Sequence, residues 1–192
     1  WLIQKLDQLA ERRIPPVIYK GEKPLTTRTH RLQLLPARVE HPTVSIRPGL
    51  IAVRYPAYQK ITTPEIQAAI THGLTEAYRR EAKEFLPQRV EYLAKQYGFS
   101  YQRVAIKNHK SCWGSCSKRN NLNLNLHLMR LPNALIDYVI LHELTHTRIH
   151  NHSPQFWQEL ERILPQARFL RKQLQQYGRA GYLASVLAEL QV

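Results

Sequence analysis

The stretch LPNALIDYVILHELTHTRIHNHSP, residues 131–154, decides how the rest of the chain is read. Pro132 is expected to open a helix that runs through His146. Leu135, Ile136, Tyr138, Val139, Ile140, Leu141 and Leu144 cover most of its circumference, which predicts an interior helix. Inside it stands His142-Glu143-Leu144-Thr145-His146, an HExxH pattern. Residues four apart share a helix face with Cβ atoms about 6 Å apart, so two imidazoles there can converge on one cation. Glu143 sits one position on, where its carboxylate can reach a water beside such an ion. Two histidines and a glutamate are costly to bury in an apolar helix without a partner, and a divalent cation would supply one.

A catalytic zinc usually takes three protein ligands and keeps one position for water. Downstream candidates for the third are His150, His152, Glu159 and Glu161. On a straight helix His150 would lie a further turn away from the ion. His152 precedes Ser153-Pro154, a strong helix start, so a chain that turns after about residue 149 swings His152 back over the first two ligands. His152 therefore ranks first, a downstream glutamate second and His150 last. The spacing from His142 to His152 equals that of the metzincin motif. Its glycine position is Ile149 here, however, and the single methionine, Met129, lies upstream, so that assignment fails.

Working outward, residues 1–13 read as a short amphipathic helix (Leu2, Ile3, Leu6, Leu9) stopped by Pro15-Pro16. From about 17 to 62, short β-rich runs alternate with turn material, which predicts a small antiparallel sheet. Thr62-Thr63-Pro64-Glu65 starts a long helix with a threonine cap. It ends near Tyr97-Gly98 and is expected to kink or split at Pro87. Tyr101 to Lys107 reads as a strand. Leu122, Leu124, Leu126 and Leu128 alternate with Asn123, Asn125 and His127, which predicts a strand with one buried and one polar face. The polar side is read as solvent-facing or, second, as a groove for an extended peptide. Helical patterns continue to the C-terminus, broken near Pro165, Gly178 and Gly181. The fold class is thus α+β: a zincin-like core with a small antiparallel sheet, an active-site helix and a helical C-terminus, preceded by a β-rich region. Residues 1–62 form the N-terminal part and 63–192 the metal-binding domain.

Hydrophobic residues make up 43% of the 192, enough for a buried core. No apolar run approaches the ~20 residues needed to span a bilayer, so no membrane role is expected. Only Cys112 and Cys116 are present, too few for a disulfide framework, which fits a reducing, cytoplasmic setting. Their C-x3-C spacing is weak as a metal motif. It reads better as a turn in which Trp113 packs and Gly114 grants backbone freedom. The net charge of +14 would attract polyanions, nucleic acid among them, yet no basic run of five occurs. Phe156 and Trp157 read as core residues.

Several segments together resemble a known family, the YgjP-like metallopeptidase domain, related to the SprT-like zincins. They are KSCWGSC (110–116), the Leu/Asn strand at 122–128, IDYVIL leading into HELTH, and NHSPQFW (151–157). The resemblance is densest from about 100 to 177 and looser in front, where Trp1-Leu2 and Gly21-Glu22 look like family landmarks. It implies that part of an N-terminal β-region precedes Trp1, and that the third ligand is His152. The sequence departs from the pattern at Cys112, where the family usually carries arginine.

The expected activity is zinc-dependent hydrolysis of a polypeptide: His142, His146 and His152 hold Zn2+, and Glu143 is the general base. His109, His127, Arg148 and Tyr177 compete for the role of oxyanion donor. Two other readings compete. One is a metal-dependent nucleotide pyrophosphatase or phosphohydrolase, which lacks a Gly-rich phosphate loop. The other is a zinc-stabilised basic nucleic-acid-binding module, which would have no need of Glu143.

Overall fold

A computed structural model describes residues 18–109 and 112–179. The expected helix at 1–13, its Pro15-Pro16 stop, Lys110, Ser111 and the chain beyond Arg179 lie outside the described residues.

Among the described residues, two small sheets and four helices form an α+β fold. The first sheet contains β1 (Arg31–Ala37), β2 (Thr43–Arg47) and β3 (Leu50–Pro56), in the order β1-β3-β2. Here the expectation of a purely antiparallel sheet is corrected. β2 and β3 form an antiparallel hairpin, but β1 runs parallel to β3. Strand direction is set by the path of the connection, and β2 lies between β1 and β3 in sequence without separating them in space. Leu32, Ile51, Val53 and Tyr55 bury one face of this sheet.

Against it lies α1 (Pro64–Tyr97), 34 residues and about 50 Å long. Gly73 lets the two approach closely: a Cβ there would stand 2.8 Å from Ile51 Cγ2 and 3.1 Å from Val44 Cγ1. Thr63 occupies the cap position, yet its hydroxyl makes no capping hydrogen bond. Pro87 neither ends nor splits the helix. Leu86 and Val90 flank it fully buried, so tertiary packing holds the helix through the lost hydrogen bond.

The second sheet contains β4 (Arg103–Lys107), β5 (Gly114–Cys116) and β6 (Asn121–Asn125), in the order β4-β6-β5. It too is mixed: β4 is parallel and β5 antiparallel to β6. Among the described strands, β5 is therefore an edge. The expected strand through Leu128 stops at Asn125 and tightens into a 3₁₀ turn, Leu126–Arg130. All four leucines are nevertheless buried.

Two of the three polar alternates correct the expectation of a solvent face, because Asn125 and His127 are each only 3% exposed, whereas Asn123 is half-buried and donates to Ser115 Oγ at 3.2 Å. Asn125 Nδ2 donates to the carbonyls of His109 and Cys112, both at 2.8 Å, and its Oδ1 accepts from the His127 amide at 3.2 Å. His127 Nε2 meets Asn108 Oδ1 at 3.0 Å. These side chains tie Asn108, His109 and Cys112 to the end of β6 from within.

Three further helices follow among the described residues: α2 (Asn133–Thr145), α3 (Pro154–Ile163) and α4 (Ala167–Arg179). α2 is interior, with Leu135, Ile136, Tyr138, Val139, Ile140, Leu141 and Leu144 buried. Charged side chains pin it at two points. Arg89 on α1 grips Asp137 through two hydrogen bonds, 2.7 and 2.6 Å. Arg28 donates to the carbonyls of Met129 and Leu131 and to Asn133 Oδ1, between 2.8 and 3.0 Å, just where α2 begins. The Arg28 loop is itself tied to α1. Glu81 Oε1 accepts from Thr27 Oγ1, from the amide and hydroxyl of Thr29 at 3.0 and 2.9 Å, and lies 2.9 Å from His30 Nδ1. One hydrophobic core runs from Leu25 to Leu170 through all of these elements.

Candidate metal centre

His142 lies in the last turn of α2 and His146 is its C-cap residue. The chain then bends through Thr147–Asn151, and α3 begins at Pro154, which brings His152 back over the end of α2. His152 Nε2 stands 3.0 Å from His142 Nε2 and 3.2 Å from His146 Nε2. Among the described residues these three form the cluster of His, Cys, Asp or Glu donors with metal-ligand spacing, all ligand atoms lying within 4.8 Å of one another. The other candidates for third ligand stand apart. His150 is exposed, Glu159 is bound to Arg148 and Arg162, and Glu161 is bound to Arg168.

A single imidazole nitrogen has either one proton or one lone pair, so His152 Nε2 cannot satisfy two partners by hydrogen bonding. A cation accepting all three lone pairs resolves the conflict. Nitrogens about 2.05 Å from a tetrahedral ion stand roughly 3.3 Å apart, close to what is seen here. Burial, reinforced by His146, His152 and Arg171, pushes the His142 pKa down to about 3, so its ring is neutral and free to ligate. His146 is also lowered, chiefly by burial. His146 Nδ1 lies 3.0 Å from the Ile149 carbonyl, which places the proton on Nδ1 and leaves the Nε2 lone pair facing the cluster. His142 Nδ1 is buried without a hydrogen-bond partner. The donor set therefore fits a zinc-type ion.

Phe156 is fully buried and forms the floor beneath all three rings. It stacks on His146 at 4.5 Å and meets His142 and His152 edge-on at 4.9 Å. Half-buried Trp157 stacks beside His152. Glu143 is only 6% exposed, and burial pushes its pKa up to about 8. Its carboxylate lies against Gly114 of β5: a Cβ at Gly114 would stand 2.8 Å from Glu143 Cγ, 2.9 Å from Oε1 and 3.1 Å from Cδ.

A model of the YgjP-like metallopeptidase domain matches residues 1–177. The chain belongs to the YgjP-like metallopeptidase family. Three solved structures are partly similar. The metallopeptidase zymogen abylysin of Pyrococcus abyssi has 22% identity and a TM-score of 0.44, over 48% of this chain and 93% of that one. The zymogen jannalysin of Methanocaldococcus jannaschii has 25% identity and a TM-score of 0.43, over 48% and 96%. Wss1 of Saccharomyces cerevisiae has 22% identity and a TM-score of 0.35, over 44% and 73%. No curated protein matches at a significant level.

For a YgjP-like peptidase, the expected oxyanion donors are placed unevenly. Arg148 is committed to Glu159 and to the carbonyls of Tyr97 and Gly98, and covers the Phe99 ring at 4.2 Å. His127 serves the buried brace already described. Tyr177 lies on α4, and His109 contributes its carbonyl to the Asn125 clasp. Sequence reasoning passed over Tyr138 and Arg171. The Tyr138 ring is 5.9 Å from that of His142, and its hydroxyl pKa is raised to about 12 by burial. Its i, i+4 spacing to His142 was the available signal. The Arg171 guanidinium rests 4.9 Å over the Trp157 ring. Gly114 was read for backbone freedom, and this is corrected: its φ is not positive, and what matters is its lack of a side chain beside Glu143. Cys116 is a free thiol pushed up to about 11 by burial and by Glu143, which disfavours thiolate ligation.

Proposed function

We propose that this YgjP-like domain is a zinc-dependent peptidase in which His142, His146 and His152 hold the ion and Glu143 is the general base. The convergence of three Nε2 atoms, together with a buried carboxylate on the residue that follows His142 in the same helix, carries the proposal. Bound there, zinc would supply Lewis acidity toward water and a substrate carbonyl. Glu143 takes the proton of the attacking water on a carboxylate oxygen and returns it to the leaving amine. In the metal-free site burial raises its proton affinity, and a cation held by the three histidines would bring it back down toward the neutral range that both steps need. Phe156 keeps the floor dry and fixes the imidazole planes, while the Ile149 carbonyl orients His146. The edge that β5 forms among the described strands, which runs past Glu143, would offer backbone groups to an extended polypeptide.

Polyanion binding has one observation in its favour. A cleft of about 730 Å³ is lined by Gln102, Arg103, Lys118, Arg119, Asn120 and Asn121, with three cations and no carboxylate. The phosphohydrolase reading gains no support, because among the described residues no carboxylate joins the histidine cluster as Mg²⁺ sites usually have. No described helix is long and apolar enough to cross a membrane.

The test offers an unfolded protein, a nucleoside triphosphate and DNA to the zinc-loaded chain and to Glu143→Gln. Peptide cleavage lost in the variant supports the proposal. Phosphate release that depends on Glu143, or DNA binding without turnover, replaces it.

A further inference from the structure

We propose that Gly114 is a positioning residue: the bare edge of β5 sets where the Glu143 carboxylate lies, and any side chain there displaces the base. The inference rests on the reading of Glu143 as general base.

Three observations carry it. First, the contact is too close for a methyl group. Its distances to Glu143 Cγ, Oε1 and Cδ, 2.8, 2.9 and 3.1 Å, all fall short of the 3.4 Å at which ordinary contact begins. Second, nothing in the backbone demands glycine. The residue is not in the left-handed region, it pairs in register with Leu124, and within a strand alanine is ordinarily favoured over glycine.

Third, neither backbone can retreat. β5 is held by its ladder to β6, by the Asn125 amide donating to the Trp113 carbonyl at 2.9 Å, and by the Asn125 side chain on the carbonyls of His109 and Cys112. α2 is held by the Arg89–Asp137 fork and by Arg28. The flexible member of the contact is the Glu143 side chain. With alanine at 114 it has to move by about 0.6 Å, the gap between 2.8 and 3.4 Å, and the strand and helix stay where they are. Misplacement on the order of 1 Å at a reacting group is enough to cost about 100-fold in rate.

The experiment uses Gly114→Ala in two backgrounds. In zinc-free protein with Glu143 intact, the substitution should lower Tm by roughly 2–8 °C. With Glu143→Ala, which removes all three clashing atoms, the drop should vanish. In zinc-loaded protein, Gly114→Ala should keep its full metal content and near-normal KM for a peptide while kcat falls at least about 30-fold.

An equal Tm change in both backgrounds overturns the inference, because the two residues then do not meet. A coupled Tm with unchanged kcat also overturns it, because the contact then does not position the base. If Glu143→Gln itself retains turnover, the general-base reading fails and this inference falls with it. That failure differs from one in which Glu143→Gln is inactive and Gly114→Ala is fully active.

Discussion

Replacing Glu143 with glutamine should stabilise the zinc-free protein, and increasingly so as the pH rises. Burial lifts the carboxyl from its ordinary 4.5 to about 8. Between those values the folded state holds a proton that the unfolded chain has released, so stability falls as pH rises from about 4.5 through 8. At about 1.4 kcal/mol per tenfold in proton affinity, the gap corresponds to a ceiling of about 5 kcal/mol above pH 8. Side-chain relaxation and water entry reduce this to roughly 2–4 kcal/mol, or about 4–16 °C in Tm for a domain of this size. Glutamine keeps the shape and removes the charge. Urea unfolding of both proteins in chelator, at pH 4 and pH 9, gives the answer. The two should coincide at pH 4, and the glutamine protein should be the more stable at pH 9. A pH-independent difference, or a glutamine protein less stable at pH 9, would refute the reasoning that Glu143 is held at a desolvation cost.

Further outcomes follow from the same geometry. The His142 imidazole is depressed from 6.5 to about 3, so the zinc-free fold should lose stability as pH falls from about 6.5 toward 3. A His142→Gln protein should show a flatter Tm profile over that window, and equal slopes would count against a buried neutral ring. Zinc at a hundred times its dissociation constant should add about 2.7 kcal/mol to the stability of the wild type. His152→Ala should lose that increment and bind less than stoichiometric zinc by elemental analysis, whereas retention of both would remove His152 from the ligand set. Arg28→Ala breaks three hydrogen bonds at the entry to α2. It should cost about 2 kcal/mol or more in urea unfolding, and a change within error would show that α2 is held by packing alone.

What could be read from the chain was local. The apolar run from Leu135 to Leu144 spelled an interior helix, and the spacing of four put His142 and His146 on one face. Ser153-Pro154 marked a helix start, although Ser153 makes no capping bond, and that start brings His152 back. What escaped depends on contacts between distant segments. The parallel pairing of β1 with β3 follows from a crossover that no strand's own residues encode. The period-two pattern correctly placed Leu122 and Leu124 inside. It could not show that Asn125 and His127 also turn inward, since their partners, Asn108, His109 and Cys112, come from a loop more than ten residues earlier. Gly114 was legible only as a turn glycine, because its close approach to Glu143 leaves no local signature.

X-ray absorption at the zinc edge of the loaded protein tests the centre most directly. Three imidazole nitrogens and one further light atom at about 2.0–2.1 Å are expected, with no heavier neighbour. A sulfur shell near about 2.3 Å would place the ion on Cys112 or Cys116 instead and contradict the assignment of His142, His146 and His152.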